Sequence, residues 1–221
     1  MSEHVNTSNT AAIGNFFDRA RGRLTLDVPR ALMDPAAAGA RGDLDLNPEM
    51  WRRAGVKATK PAAVLVPIID RREPTVLLTL RTAELASHAG QVAFPGGKID
   101  AADESPVAAA LREAREETGL APALIEPIGY LDLYLTFSGF RILPTVARVA
   151  PEFTLALNPR EVTETFEVPL EFLMTPGNHQ RKTRDWNGLA RDYYAIPFES
   201  RYIWGITAGI LRNLYERIYA A

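Results

Sequence analysis

The segment Arg112-Glu113-Ala114-Arg115-Glu116-Glu117-Thr118-Gly119 constrains this chain more than any other, because it concentrates carboxylates on a short helix downstream of Pro95-Gly96-Gly97. At about 100° per residue, Glu113, Glu116 and Glu117 fall within roughly a third of the helix circumference. Val107, Ala110, Leu111, Ala114 and Thr118 occupy the neighbouring arc and give the helix a buried side. Like charges three and four apart repel by about 0.2–0.5 kcal/mol per pair on an isolated helix. A divalent cation offsets that repulsion, since hard cations such as Mg²⁺ take one or two carboxylates together with phosphate and water oxygens. A helix rich in Glu and Arg is commonly a solvated face, and Arg112 can pair with Glu116 at i,i+4. The flanks argue for more than that. Glycines lie upstream, Gly119 can end the helix as a C′ residue, and apolar strand-like runs stand on both sides.

These residues resemble the Nudix box, G-x5-E-x7-R-E-U-x-E-E-x-G-U with U a bulky aliphatic residue, a loop–helix–loop that binds metal and pyrophosphate. From Glu104 to Leu120 the match is complete apart from Ala114 at a U position. The glycine side is one residue longer, for the strict spacing would put Gly where Lys98 stands. Leu77-Leu78-Thr79-Leu80-Arg81-Thr82 and Gly90-Gln91-Val92-Ala93-Phe94-Pro95-Gly96-Gly97 resemble the upstream signature of coenzyme A pyrophosphatases, a Nudix branch. That branch shares the lengthened GGK-x-D-x-x-D loop, here Gly96 to Asp103. It usually has Ser where Thr82 stands and Arg where Ala86 stands; the arginine is a cation that could meet a substrate phosphate.

The resemblance implies metal-dependent hydrolysis of the diphosphate of coenzyme A or acyl-coenzyme A. The products would be 4′-phosphopantetheine (or its acyl form) and adenosine 3′,5′-bisphosphate, and the cofactor Mg²⁺ or Mn²⁺. Two other readings stay open: the same chemistry on ADP-ribose or a dinucleotide, and a catalytically silent nucleotide-sensing Nudix module. Such modules commonly lose box carboxylates, whereas Glu113, Glu116 and Glu117 are all present here. Glu113 and Glu117 match the family's ligand positions, with Glu116 a third ligand or one acting through water. Arg112 is expected to brace the loop and orient carboxylates. Glu104 has either a catalytic role or that of an N-terminal helix residue favoured by the macrodipole. Glu161, in a turn after a strand, is a candidate general base or additional metal ligand, and Glu164 competes with it. Arg81 and Lys98 could hold substrate phosphate, and Phe94 could stack on a base or sit in the core. The carbonyls of Gly96 and Gly97 could add metal oxygens, and nearby N–H groups could meet phosphate. His88 has no second histidine near it, and His4 and His179 are the others, so no histidine zinc centre is expected.

Composition bounds the rest. With 221 residues, 47% of them hydrophobic and 24% charged, the chain suits one soluble domain. A net charge of −2 disfavours general nucleic-acid binding, and the absence of cysteine excludes disulfides and thiolate chemistry. No apolar run reaches the ~20 residues of a membrane span and the N-terminus lacks a signal-peptide pattern, so a cytoplasmic location is expected. The expected partner is a small nucleoside diphosphate derivative of the coenzyme A type, with neither nucleic acid nor membrane; a homodimer is compatible with the sequence.

Residues 1–12 are expected to be a disordered tail, 13–59 a helical extension packing on the domain, 60–199 the Nudix domain, and 200–221 its terminal helix. Helical patterning covers Ile13 to Arg23, Asn47 to Ala54 and 203–219, with an Ala- and Gly-rich connection from Met33 to Asp43. Ala62 to Ile69 reads as a strand buried on both faces, and Thr75 to Thr82 as its partner. Gln91 to Phe94, Ile128 to Thr136 and Ile142 to Val149 also read as strands. Asn158 to Val162 begins a turn that runs through Phe166-Glu167-Val168 to a short helix at Leu170 to Met174. Lys182 to Trp186 and Tyr193 to Ile196 form a hairpin about Asn187-Gly188. The fold class is α/β: a Nudix-type α/β/α sandwich with a mixed sheet.

Overall fold

A computed structural model of the chain describes residues 16–34, 40–84, 89–186 and 188–220. In chain order the helices are α1 (Phe16–Arg23), α2 (Asp43–Leu46), α3 (Pro48–Ala54), α4 (Pro106–Thr118), α5 (Leu170–Leu173) and α6 (Ile206–Tyr215). The strands are β1 (Ala40–Gly42), β2 (Lys60–Ile69), β3 (Thr75–Arg81), β4 (Val92–Ala93), β5 (Gly96–Lys98) and β6 (Ile125–Tyr130). They continue with β7 (Leu133–Leu135), β8 (Phe140–Val149), β9 (Val162–Pro169), β10 (Gln180–Trp186), β11 (Leu189–Phe198) and β12 (Arg201–Trp204).

The long apolar run forms β2, which lies parallel to β8 along its whole length, from Lys60↔Phe140 to Ile69↔Val149. Its other edge is divided. The antiparallel strand β3 meets it only at Ile68↔Val76 and Ile69↔Thr75, while β5 takes Ala62↔Lys98 to Val64↔Gly96. Beyond that contact β3 leaves β2 and takes β4 on that side, while its opposite edge pairs with β9 from Thr75 to Arg81. The sheet therefore forks, and the fork opens beside β5.

Side-chain alternation explains why β2 is apolar throughout. Ala63, Leu65 and Ile69 pack with Ala109, Ala110 and Ala114 of α4, while Ala62, Val66 and Ile68 join Ala208, Leu211 and Leu214 of α6 on the other face. Each large apolar side chain buried in this way contributes about 1.5–3 kcal/mol. Phe16, Ala20 and Leu24 belong to the α6-side core. The arrangement is a large mixed sheet with helices on both faces.

Several elements differ from the sequence expectation. Residues 201–204 are a strand, not the start of the terminal helix: β12 pairs with β11 through Ala195↔Trp204 and Ile196↔Ile203. The run after Asn158 is an eight-residue strand, β9, because the edge of β3 that faces away from β2 is free to pair with it. The strand expected from Ile128 to Thr136 is two, β6 and β7, which share the outer edge of β8. Within the Ala/Gly connection, Ala40–Gly42 pairs in parallel with β7, and residues 35–39 lie outside the described residues. Asn47 precedes α3 as expected, yet its side chain bonds Asp192 twice, accepting from its N–H and donating to its carbonyl, each at 2.8 Å. It ties α3 to β11. The expected tail, residues 1–12, lies outside the described residues.

Candidate active site

Local sequence sets the bounds of α4. Ser105 is the N-cap, its hydroxyl accepting from the Ala108 N–H at 3.1 Å, and Pro106 holds the first helical position. Gly119 ends the helix at φ 74°, its N–H donating to the Arg115 carbonyl. The glycines upstream are not a turn leading into this helix. Gly96 and Gly97 lie in β5, hydrogen-bonded to β2, and residues 99–104 make the connection.

Glu117 is 1% exposed, with Arg81 Nη1 3.2 Å from its Oε1 and the Gly96 N–H 3.2 Å from its Oε2. Burial is the largest influence on it and raises its pKa to about 7, against the opposing pull of Arg81 and the Gly96 N–H. The charges of Glu161 and Glu113 push the same way as burial. Glu113 is likewise raised, first by burial and then by Glu116 and Glu161, although Arg112 opposes this from 2.9 Å. Glu161 thus stands within electrostatic reach of both. Its Oε1 accepts from Asn158 Nδ2 at 3.0 Å, and the Asn158 N–H donates to the Glu117 carbonyl at 2.9 Å. One short turn therefore links Glu161 to the end of α4.

Arg112 is the hub of the connecting loop. It grips Asp103 with two hydrogen bonds of 2.9 Å, donates to the Lys98 carbonyl at 3.2 Å, and reaches Glu116 at 3.3 Å. These contacts hold the Asp103 carboxyl below its ordinary range. Asp103 was visible in the sequence as part of the lengthened loop, but its partnership with Arg112 was not. Glu116 is exposed and paired with Arg112.

Other expected site residues are placed differently. Glu104 precedes the N-cap rather than lying in α4, is exposed, and has no hydrogen bond or ion pair among the described residues. Phe94 belongs to the core at 4% exposure and is also among the residues that line a cavity beside the carboxylates. Glu164 is paired with Arg201. The Gly96 N–H is occupied by Glu117 and is not available to phosphate. Lys98 is exposed, with no ion pair among the described residues. His179 is taken up by packing, bonding the Leu173 carbonyl at 2.6 Å and meeting the Tyr215 ring edge-on. Ala86 and His88 lie outside the described residues.

The carboxylates fit a hard divalent cation. A Cβ on Gly97 would come within 2.5 Å of the Glu113 carboxyl carbon, so only glycine here lets that carboxylate lie over β5. Among the described residues no three acidic or imidazole groups are close enough to enclose an ion alone. Two carboxylates completed by substrate oxygens match the coordination habit of Mg²⁺.

Beside this cluster is a cavity of about 240 Å³, lined by Arg81, Gln91, Gly96, Gly97 and Lys98 and closed by Ile142 and Ile206. None of the glutamates lines it. Strand alternation explains this: Gly97 lies opposite Ala63 on the α4 side of β5, whereas Lys98 lies opposite Ala62 on the α6 side. Arg81 connects the two compartments, since it lines the cavity and pairs with Glu117.

A NUDIX domain family model matches residues 59–187, a span that contains α4, the fork and Glu161. The chain belongs to the Nudix hydrolase family. It is 40% identical over 159 residues to the uncharacterized Nudix hydrolase NudL of Citrobacter koseri, covering 72% of this chain and 83% of that one. NudL of Cronobacter sakazakii is 39% identical over 173 residues, or 78% of this chain and 89% of the relative. A Nudix hydrolase structure from Alicyclobacillus acidocaldarius aligns with a TM-score of 0.47 at 17% identity, over 74% of this chain and 95% of that chain. This Nudix protein is accordingly a diphosphate-hydrolysing enzyme. Among its described residues no helix is long and apolar enough to cross a membrane.

Proposed function

We propose that this Nudix hydrolase cleaves the diphosphate of coenzyme A or acyl-coenzyme A. The observation that carries this reading is where the branch-like segment lies. Arg81 and residues 91–94, 96 and 97, from the stretch that resembles the coenzyme A pyrophosphatase signature, line the cavity beside the carboxylates. In this reading those lining residues would flank one arm of the substrate.

In this reading Glu113 and Glu117 would hold Mg²⁺ or Mn²⁺, helped by Glu116 and by the Gly96 or Gly97 carbonyl. When bound, such a cation would neutralise charge on phosphate oxygens and make a water easier to deprotonate. Glu161 takes the proton of the attacking water on its Oε2, as Oε1 is engaged by Asn158. The water oxygen bonds to one phosphorus, the anhydride bond breaks, and the second phosphate leaves with the bridging oxygen. Adenosine 3′,5′-bisphosphate and 4′-phosphopantetheine (or its acyl form) result. Arg112 acts by positioning: it holds the loop against α4 and fixes the direction of Glu113. Arg81 and Lys98 supply positive charge to phosphate at the cavity side. Glu104 is exposed, with no hydrogen bond or ion pair among the described residues, and in this reading acts indirectly.

The test is kcat/KM for coenzyme A, dephospho-coenzyme A, ADP-ribose and NADH with Mg²⁺ or Mn²⁺. Coenzyme A is expected to be preferred. A preference for ADP-ribose would overturn the substrate assignment while leaving the diphosphatase chemistry in place.

A further inference from the structure

The second sheet has two chemically different faces. By strand alternation and the β10–β11–β12 register, Lys182, Arg184 and Trp186 share a face with Arg191 and Tyr193, and with Trp204 of β12. The hairpin's acids alternate away: Asp192 binds Arg181 and Thr183 on the opposite face. Arg184 and Arg191 are direct cross-strand partners, a pairing of like charges that destabilises a sheet. Arg191 is neutralised by Asp43 at 2.9 Å and lies over the rings of Phe137 (4.4 Å) and Trp186 (5.5 Å). Arg184 has no carboxylate partner among the described residues; its guanidinium lies 5.7 Å from the Trp186 ring, itself 49% exposed.

Arg184, Trp186, Arg191, Tyr193 and Trp204 line a second cavity of about 360 Å³. Gln91, Trp204 and Ile206 line both cavities, so the two are neighbours, one reaching Lys98 and Gly97 at β5 and the other Arg184 on the hairpin. Exposed aromatic rings offer faces on which a base can stack, and an unneutralised guanidinium presents a fork matched to phosphate. A neutral pantetheine arm would require no such cation.

We propose that this face of the second sheet is the subsite for the substrate's nucleotide end, with the base on Trp186 and its aromatic neighbours and the 3′-phosphate on Arg184. The base-binding part asks only for a nucleotide, whereas the 3′-phosphate assignment rests on the coenzyme A reading.

The test titrates the full-length protein in EDTA with adenosine 3′,5′-bisphosphate and with AMP, following tryptophan fluorescence and calorimetry. Wild type is expected to bind the bisphosphate at least about tenfold more tightly than AMP, as one charge-assisted phosphate contact allows roughly ten- to hundredfold. Arg184→Ala should abolish that preference, and Trp186→Ala should weaken both ligands together by about five- to hundredfold. Both residues are exposed on the hairpin, and circular dichroism verifies folding. Wild-type affinities in both variants would overturn the subsite. Hydrolysis separates it from the substrate reading. If wild type cleaves coenzyme A and Arg184→Ala keeps its selectivity over dephospho-coenzyme A, the subsite falls and the reading stands. If wild type does not cleave coenzyme A yet Arg184→Ala loses the preference for the bisphosphate over AMP, the reading falls and the subsite stands.

Discussion

Replacing Glu117 by Gln in cation-free protein tests whether the buried carboxylate is held for function at a cost to the fold. Burial and the Glu161 and Glu113 charges raise its pKa from an ordinary 4.5 to about 7. Between those values the folded protein holds a proton that the unfolded chain has released, so stability falls as pH rises through that window. At about 1.4 kcal/mol per pKa unit, the ionised group at pH 8 costs the fold about 3 kcal/mol. Gln keeps the side-chain shape and can still accept from the Gly96 N–H, but it leaves Arg81 without its counter-charge, which returns part of that gain. The variant should therefore exceed wild type by about 1–3 kcal/mol at pH 8 in EDTA, or about 3–10 °C in Tm, and the gap should close by pH 4.5. Mg²⁺ should then raise the Tm of wild type more than that of the variant, whose hydrolysis is impaired. Thermal unfolding at several pH values, with and without Mg²⁺, gives the readout. A variant less stable than wild type at pH 8 in EDTA, or a gap independent of pH, would refute the reasoning.

Glu113→Gln should lower kcat on the order of 100-fold or more with the fold intact, as seen by steady-state kinetics and circular dichroism. Gly97→Ala should lower activity in the same direction without removing any carboxylate, because the new Cβ occupies the space of the Glu113 carboxyl; wild-type turnover would show that this contact is unimportant. Glu161→Gln is expected to reduce kcat by about 10²–10⁴ while changing KM much less, and equal changes in both would remove it as the base. Asp103→Asn and Arg112→Lys each break the two-pronged grip on the loop and should cost about 1–3 kcal/mol in urea unfolding. Their double variant should cost less than the two losses added, since they share one contact.

Helix α4 was legible in the sequence because its determinants are local: the periodicity of its apolar and acidic positions and the glycine at its end. β2 was legible as well, since a strand covered on both faces must be apolar throughout. The box pattern identified Glu113, Glu116, Glu117 and Arg112 as candidates, and their spacing placed the glutamates on one stripe. Whether a side chain on that stripe is solvated, as Glu116 is, or enclosed, as Glu117 is, depends on what packs against it. The forking of β3 from β2 decided that. It brought Arg81, 36 residues away in sequence, onto Glu117, while the opposite edge of β3 took residues 162–169 as a strand. The same long-range pairing made 201–204 a strand, although its apolar spacing continues smoothly into α6. It also turned Arg184 and Trp186 into a cavity shared with Gln91. Caps, periodicity and turn residues act over a few neighbours and can be read from them. Ion pairs, cavities and sheet edges arise between distant segments, so their partners exist only once the chain has folded.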